Sequence, residues 1–143
     1  MKSIPHAIAG GIAFITILVF FSATVIVEVG GDPAAIARAK AAIVQGLWLL
    51  IPALMLTGAS GFALARGRSG RLLAAKQRRM PFIAGNGLLI LLPAALLLDR
   101  WAAAGQFDGM FYTVQAVELL AGAVNLTLMG LNIRDGVRLR ATR

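Results

Sequence analysis

Four stretches of the chain run almost free of charge. Residues 7–27, 41–65 and 82–98 contain no Asp, Glu, Lys or Arg, and residues 111–133 contain a single acid, Glu118. Each is close to the roughly 20 residues that an α-helix needs to cross a ~30 Å hydrocarbon layer. The pattern predicts an all-α membrane protein: a four-transmembrane-helix up-down bundle forming one membrane domain over residues 1–143.

The connections carry their own signals. Gly30-Gly31 predicts a turn, Asp32 an N-cap and Pro33 a first helical position. Residues 34–40 are expected to begin the second helix outside the hydrocarbon, leaving Lys40 at the rim. Pro52 is expected to kink that helix, and Thr57-Gly58-Ala59-Ser60-Gly61 offers small residues against which a neighbouring helix can pack. Residues 66–81 form a basic loop or short interfacial helix. Trp101, Phe107, Phe111 and Tyr112 gather around the last turn, where an interfacial aromatic belt belongs. The first segment is expected to be a retained anchor, since its apolar run exceeds the ~7–15 residues of a signal sequence.

Composition agrees with lipid as the solvent. Of 143 residues, 59% are hydrophobic and 14% charged, against about 45–50% and 25% in soluble domains. The net charge of +8 acquires meaning from its placement. With both termini on one side, that side holds eleven basic residues: Lys2, Arg66, Arg68, Arg71, Lys76, Arg78, Arg79, Arg134, Arg138, Arg140 and Arg143. The other side holds three, Arg38, Lys40 and Arg100, beside Glu28, Asp32, Asp99 and Asp108. By the positive-inside rule this predicts cytoplasmic termini and a cytoplasmic basic loop. The basic loop also suits anionic lipid headgroups. No aromatics interleave with its charges, which argues against nucleic acid.

Candidate chemistry concentrates in the fourth span. Steps of four and three from Phe111 pass through Gln115, Glu118, Gly122, Asn125, Met129 and Asn132, placing four polar side chains on one stripe. Such a stripe must face protein or water, because an unsatisfied polar group in hydrocarbon costs several kcal/mol. At 1.5 Å per residue Glu118 lies roughly 10 Å below the outer interface. Either it is a proton or cation site, or it is one end of a hydrogen-bond network that fixes helix register. Gln45 stands at comparable depth as a candidate partner. Asn86, about 6 Å inside the cytoplasmic edge, lies between the depths of Asn132 and Asn125, which predicts an interhelical amide contact.

His6 is the single histidine and could ligate haem b, with Met80 or Met129 as second ligand. The absence of cysteine removes thiolate metal sites, disulfides and cysteine nucleophiles. No nucleophile-base-orienter set, phosphate-binding glycine loop or metal-ligand spacing is present, so an enzyme acting alone is not expected and no cofactor is required.

Residues 78–87, Arg-Arg-Met-Pro-Phe-Ile-Ala-Gly-Asn-Gly, and 130–137, Gly-Leu-Asn-Ile-Arg-Asp-Gly-Val, resemble stretches of small four-helix inner-membrane proteins of proteobacteria that carry no assigned chemistry. The resemblance implies the fold and the membrane location and transfers no functional residue. Three function classes follow: an accessory or scaffold protein that forms a homo-oligomer or joins a larger membrane complex; a carrier or channel for protons, a cation or a small solute, centred on Glu118; and a haem- or quinone-binding subunit.

Overall fold

The computed structural model describes residues 3–141. They form α1 (Ser3–Gly30), α2 (Pro33–Ala65), α3 (Arg71–Asn86), a π-helical turn (Gly87–Leu91), α4 (Leu92–Ala103) and α5 (Gly109–Ala141), with no strand among the described residues. Four helical segments are long and apolar enough to cross a membrane: Ile4–Gly30, Pro33–Ala65, Arg71–Ala103 and Gly109–Ala141. A 33-residue helix is about 50 Å long, against ~30 Å of hydrocarbon. The hydropathy pattern therefore marked the lipid-crossing portion of each helix rather than its ends.

Of the two expected forms of the central basic segment, helix prevails over most of its length. Coil is confined to residues 66–70, and Arg71 to Met80 already belong to α3, which runs on through Pro81. Polar residues outside the hydrocarbon leave the helix intact, because a helix satisfies its backbone equally well in water.

Local chemistry sets the turns. The Oδ1 of Asp32 accepts from the Ala34 N–H at 3.1 Å, Pro33 opens α2, and Gly31 takes φ +69°. At the far end of α4, Gly105 at φ +72° allows its N–H to reach the Ala102 carbonyl and the Gln106 N–H to reach that of Trp101, at 3.1 and 2.8 Å. These two bonds close a Schellman motif. Asp108 then caps α5, accepting from the Phe111 N–H at 3.0 Å. That backbone donor stabilises the carboxylate and holds the exposed Asp108 below the usual aspartate range.

The π turn has an identifiable cause. Pro93 has no N–H to offer the carbonyl four residues earlier and its ring crowds that carbonyl. The helix takes in one extra residue here, and the Leu92 N–H bonds to the Gly87 carbonyl, five residues back.

The helices pack in a ring. α1 lies against α2 and α5, and α4 also lies against α2 and α5, so α2 and α5 face each other across a diagonal; α3 packs on α5. On the α1–α2 face, His6 lies beside Ser60, Gly10 beside Thr57 and Phe20 over Gly46, rising numbers on one helix meeting falling numbers on the other. One apolar cluster joins Ala13, Ile17, Leu50, Ala53, Ile83 and Met129; a second joins Ile36, Leu98, Ala102 and Phe111. Phe111 is fully buried and packs edge to face with Phe107 and Tyr112, at 5.0 and 5.3 Å. It is therefore a core residue, not a member of an interfacial belt, while Tyr112 beside it is exposed. Large apolar side chains such as Trp48, at 86% exposure, cover the outside.

Candidate functional site

The buried face of α5 carries Phe111, Gln115, Gly122, Asn125, Met129, Asn132 and Asp135. Glu118 shares the stripe and is partly buried. The stripe thus turns inward, and its polar groups meet side chains of the other helices at three levels.

At the first level, Lys40 Nζ crosses the diagonal from α2 and lies 2.9 Å from Glu118 Oε2. Gln115 Nε2 donates to the same oxygen at 2.8 Å. Lys40 is 1% exposed, which corrects its expected place at the rim. Its position follows from helical phase: Ile36, Lys40, Ile43, Leu47 and Leu50 recur at steps of four and three, so Lys40 shares the inward face of α2. Gln45 lies off that stripe, is exposed and does not pair with Glu118. Glu28 on α1 also departs from expectation. It is half-buried and within electrostatic reach of both Lys40 and Glu118, and its Oε1, like Gln115 Oε1, is buried with no hydrogen-bond partner.

Below this cluster lies a cavity of about 110 Å³ lined from all four membrane segments, including Phe21, Leu50, Leu91 and Leu119. Among its lining residues, Thr24 and Glu118 alone carry polar side chains. It is an apolar space with a carboxylate at one end.

At the second level, Asn86 Nδ2 donates to Asn125 Oδ1 and to the Ala121 carbonyl, each at 2.8 Å, and Asn125 Nδ2 donates to the Ile83 carbonyl at 3.3 Å. The carbonyls of Ala121 and Ile83 already belong to helices, so the two amides link α3 and α5 through both backbone and side chain.

At the third level, Asp135 is 1% exposed and receives Arg79 Nη1 at 2.7 Å and Arg134 Nη2 at 3.2 Å. Arg79 also donates to Asn132 Oδ1 at 3.3 Å. Lys76 approaches from α3; a Cβ on Gly136 would stand 3.2 Å from its Nζ. Asp135 is not on the predicted stripe, whose alternating steps continue to Gly136, yet at three residues beyond Asn132 it shares the same helix face. Arg66, Arg68, Arg71 and Arg78 are exposed at this end, and Lys2 and Arg143 lie outside the described residues.

His6 sits apart from the stripe. Its Nδ1–H is shared between the Thr57 carbonyl at 3.1 Å and Ser60 Oγ at 3.0 Å, and its ring packs on Gly61 beside the methyl of Met80. These contacts hold α1 on α2. Met129 belongs to the apolar core, whereas the Met80 methyl and the His6 ring lie against the same glycine, Gly61. Among the described residues no three His, Cys, Asp or Glu side chains gather as a metal site.

No family model, curated protein or solved structure matches this chain.

Proposed function

We propose that this is a small accessory or scaffold protein of a bacterial inner membrane, related to the four-helix proteins its sequence resembles. In this reading it is an up-down bundle with both termini cytoplasmic, working as a homo-oligomer or as part of a larger membrane complex. The observation that carries the reading is the inward closure of the α5 stripe. Glu118, Asn125, Asn132 and Asp135 are engaged by Lys40, Asn86 and Arg79 of the same chain and Gln115 donates to Glu118, so this polar stripe is not offered to a partner.

Gly11, Gly58 and Gly85 support it further: a Cβ on any of them would meet nothing within 4 Å. Uncovered small residues allow another helix to approach closely. The orientation rests on charge. With Lys40 turned inside, Arg38 and Arg100 are the basic residues left outermost at the acidic end, against the basic cluster of α3 and α5 at the other. That cluster suits anionic headgroups, at about 1 kcal/mol per residue near a charged leaflet.

Native mass spectrometry of protein extracted in mild detergent tests the reading. The expected mass is a multiple of the 15.0 kDa chain or a defined larger complex; a lone monomer under all conditions overturns it. A second reading, a proton or cation carrier, draws on Glu118 at the cavity wall.

A further inference from the structure

The cavity beneath the Lys40–Glu118 pair has one polar end and one end that opens toward lipid. Antiparallel packing sets Phe21 against Gly122 and Phe14 beside Gly130, so Thr24 on α1 stands level with Leu119, the residue after Glu118. Thr24 and Glu118 both line the cavity, and the rest of its wall is hydrocarbon or glycine. Along α1 the lining runs from Thr24 to Ile17, about 10 Å at 1.5 Å per residue. Toward the Ile17 end the wall includes Ile51 on α2 and Leu88 in the π turn, which are 37% and 61% exposed on the outside of the bundle. The cavity therefore opens sideways, between α2 and the third membrane segment, into the region that lipid tails occupy.

Both polar groups at the other end keep an unused hydrogen-bonding position. Lys40 Nζ and Gln115 Nε2 donate to the same Glu118 oxygen, Oε2, and Oε1 accepts from none of the described residues. Thr24 is 3% exposed, and its hydroxyl is bonded to none of the described residues. One carboxylate acceptor and one hydroxyl thus border about 110 Å³ of apolar space, near the ~150 Å³ of dry cavity that binds a benzene ring. Charge narrows the occupant. An anionic head would meet the Glu118 carboxylate, and a cationic head would meet Lys40 Nζ, 2.9 Å from that carboxylate; each stands against a like charge at low dielectric. A neutral hydroxyl meets neither objection. It donates to Glu118 Oε1 and accepts from the Thr24 hydroxyl.

We propose that this cavity binds a neutral, lipid-soluble alcohol or phenol, its hydroxyl held between Thr24 and Glu118 and its hydrocarbon tail leaving past Ile51 and Leu88. The site stands whether the protein is a scaffold or a carrier, and its test is separate from the mass measurement. A hydroquinone and a diacylglycerol share this head chemistry, and competition between them tells which source supplies it.

The test is photo-crosslinking of the full chain in lipid nanodiscs with a diazirine-bearing alkylphenol, the adducts being mapped by mass spectrometry. Adducts are expected between Ile43 and Leu54 and between Gly87 and Ala95. Excess para-pentylphenol should suppress them, and para-pentylanisole, which has the same shape without the O–H, should require about tenfold more, the equivalent of one hydrogen bond. Thr24→Val keeps the shape of the side chain and should weaken suppression by pentylphenol by about tenfold. Ala95→Leu fills the space and should remove the adducts. A short-chain hydroquinone and dioctanoylglycerol, added as competitors, identify the hydroxyl lipid that fits, and failure of both overturns the proposal. Equal competition by the phenol and its ether overturns it in favour of apolar space without a polar seat. Adducts spread evenly over outward residues such as Trp48 and Leu120 overturn it in favour of partition into the bilayer alone.

Discussion

The two ends of α5 each bury an ion pair, and they do so with opposite arithmetic. Near the α1–α2 turn, Lys40 pairs among the described residues with Glu118 alone, while Glu28 lies within electrostatic reach, and Glu28 Oε1 and Gln115 Oε1 are buried without donors. At the other end, Asp135 has Arg79 and Arg134 as direct partners and Lys76 nearby, and among the described residues none of its oxygens is unpartnered. One end has too few cations and the other has spares. Surplus arginines can turn toward water or headgroups, as the half-exposed Arg134 does. A surplus carboxylate beneath the turn has less room to escape, and deficits are where buried polar clusters acquire ligands.

The comparison fails first, if it is to fail, at Lys40. Lys40→Met should destabilise the bundle by about 3–5 kcal/mol, the usual consequence of stranding a buried charge. Reversible unfolding in mixed detergent micelles measures it, and the double substitution Lys40→Met with Glu118→Leu should recover most of the loss. A single substitution as harmless as the double one would show that Glu118 is not held by Lys40.

Arg79→Gln should matter less. Asp135 keeps Arg134 and gains from Lys76, so the same assay should register about 1.5–3 kcal/mol, the range for one hydrogen bond to a charged group. A loss equal to that of Lys40→Met would remove the contrast between the ends.

The smallest effect belongs to Asp108, which caps α5 in the open. Its carboxyl is held below the ordinary range by the Phe111 N–H, so its contribution is present above the unfolded value of about 3.9 and is lost as pH falls through the folded one. Thermal unfolding of the unmodified protein should weaken as acid is added across that window. Asp108→Asn, which retains a capping oxygen, should flatten that response and leave neutral-pH stability nearly unchanged.

Much of this architecture is legible along the chain. Charge-free runs locate the four membrane segments, the step of four and three from Phe111 finds the inward face of α5, and depth matching brings Asn86 toward Asn125. What stays hidden is the destination of residues near helix ends. Lys40 and Glu28 read as rim charges because topology alone explains charges there, and Gln45 reads as a partner because depth was matched without rotation. Helical phase separates them: Lys40 is in step with Ile36 and Ile43, and Gln45 is not. Asp135 was obscured by Arg134 beside it, which makes the pair look like surface charge. The helical start of α3 was obscured because basic sequence breaks a hydropathy run without breaking a helix.

The extra residue between Gly87 and Leu91 works as a gear. About eighteen residues make five α-helical turns, so an uninterrupted helix would align Ile83 with Trp101. Inserting one residue advances the remainder by about 100°, and Ile83 aligns instead with Ala102, which is 4% exposed. Before the insertion the third membrane segment meshes with α5; after it, with α2 as well. One rod thereby holds two neighbours lying in different directions, and deleting a single residue from this turn would disengage one of them while leaving hydropathy untouched.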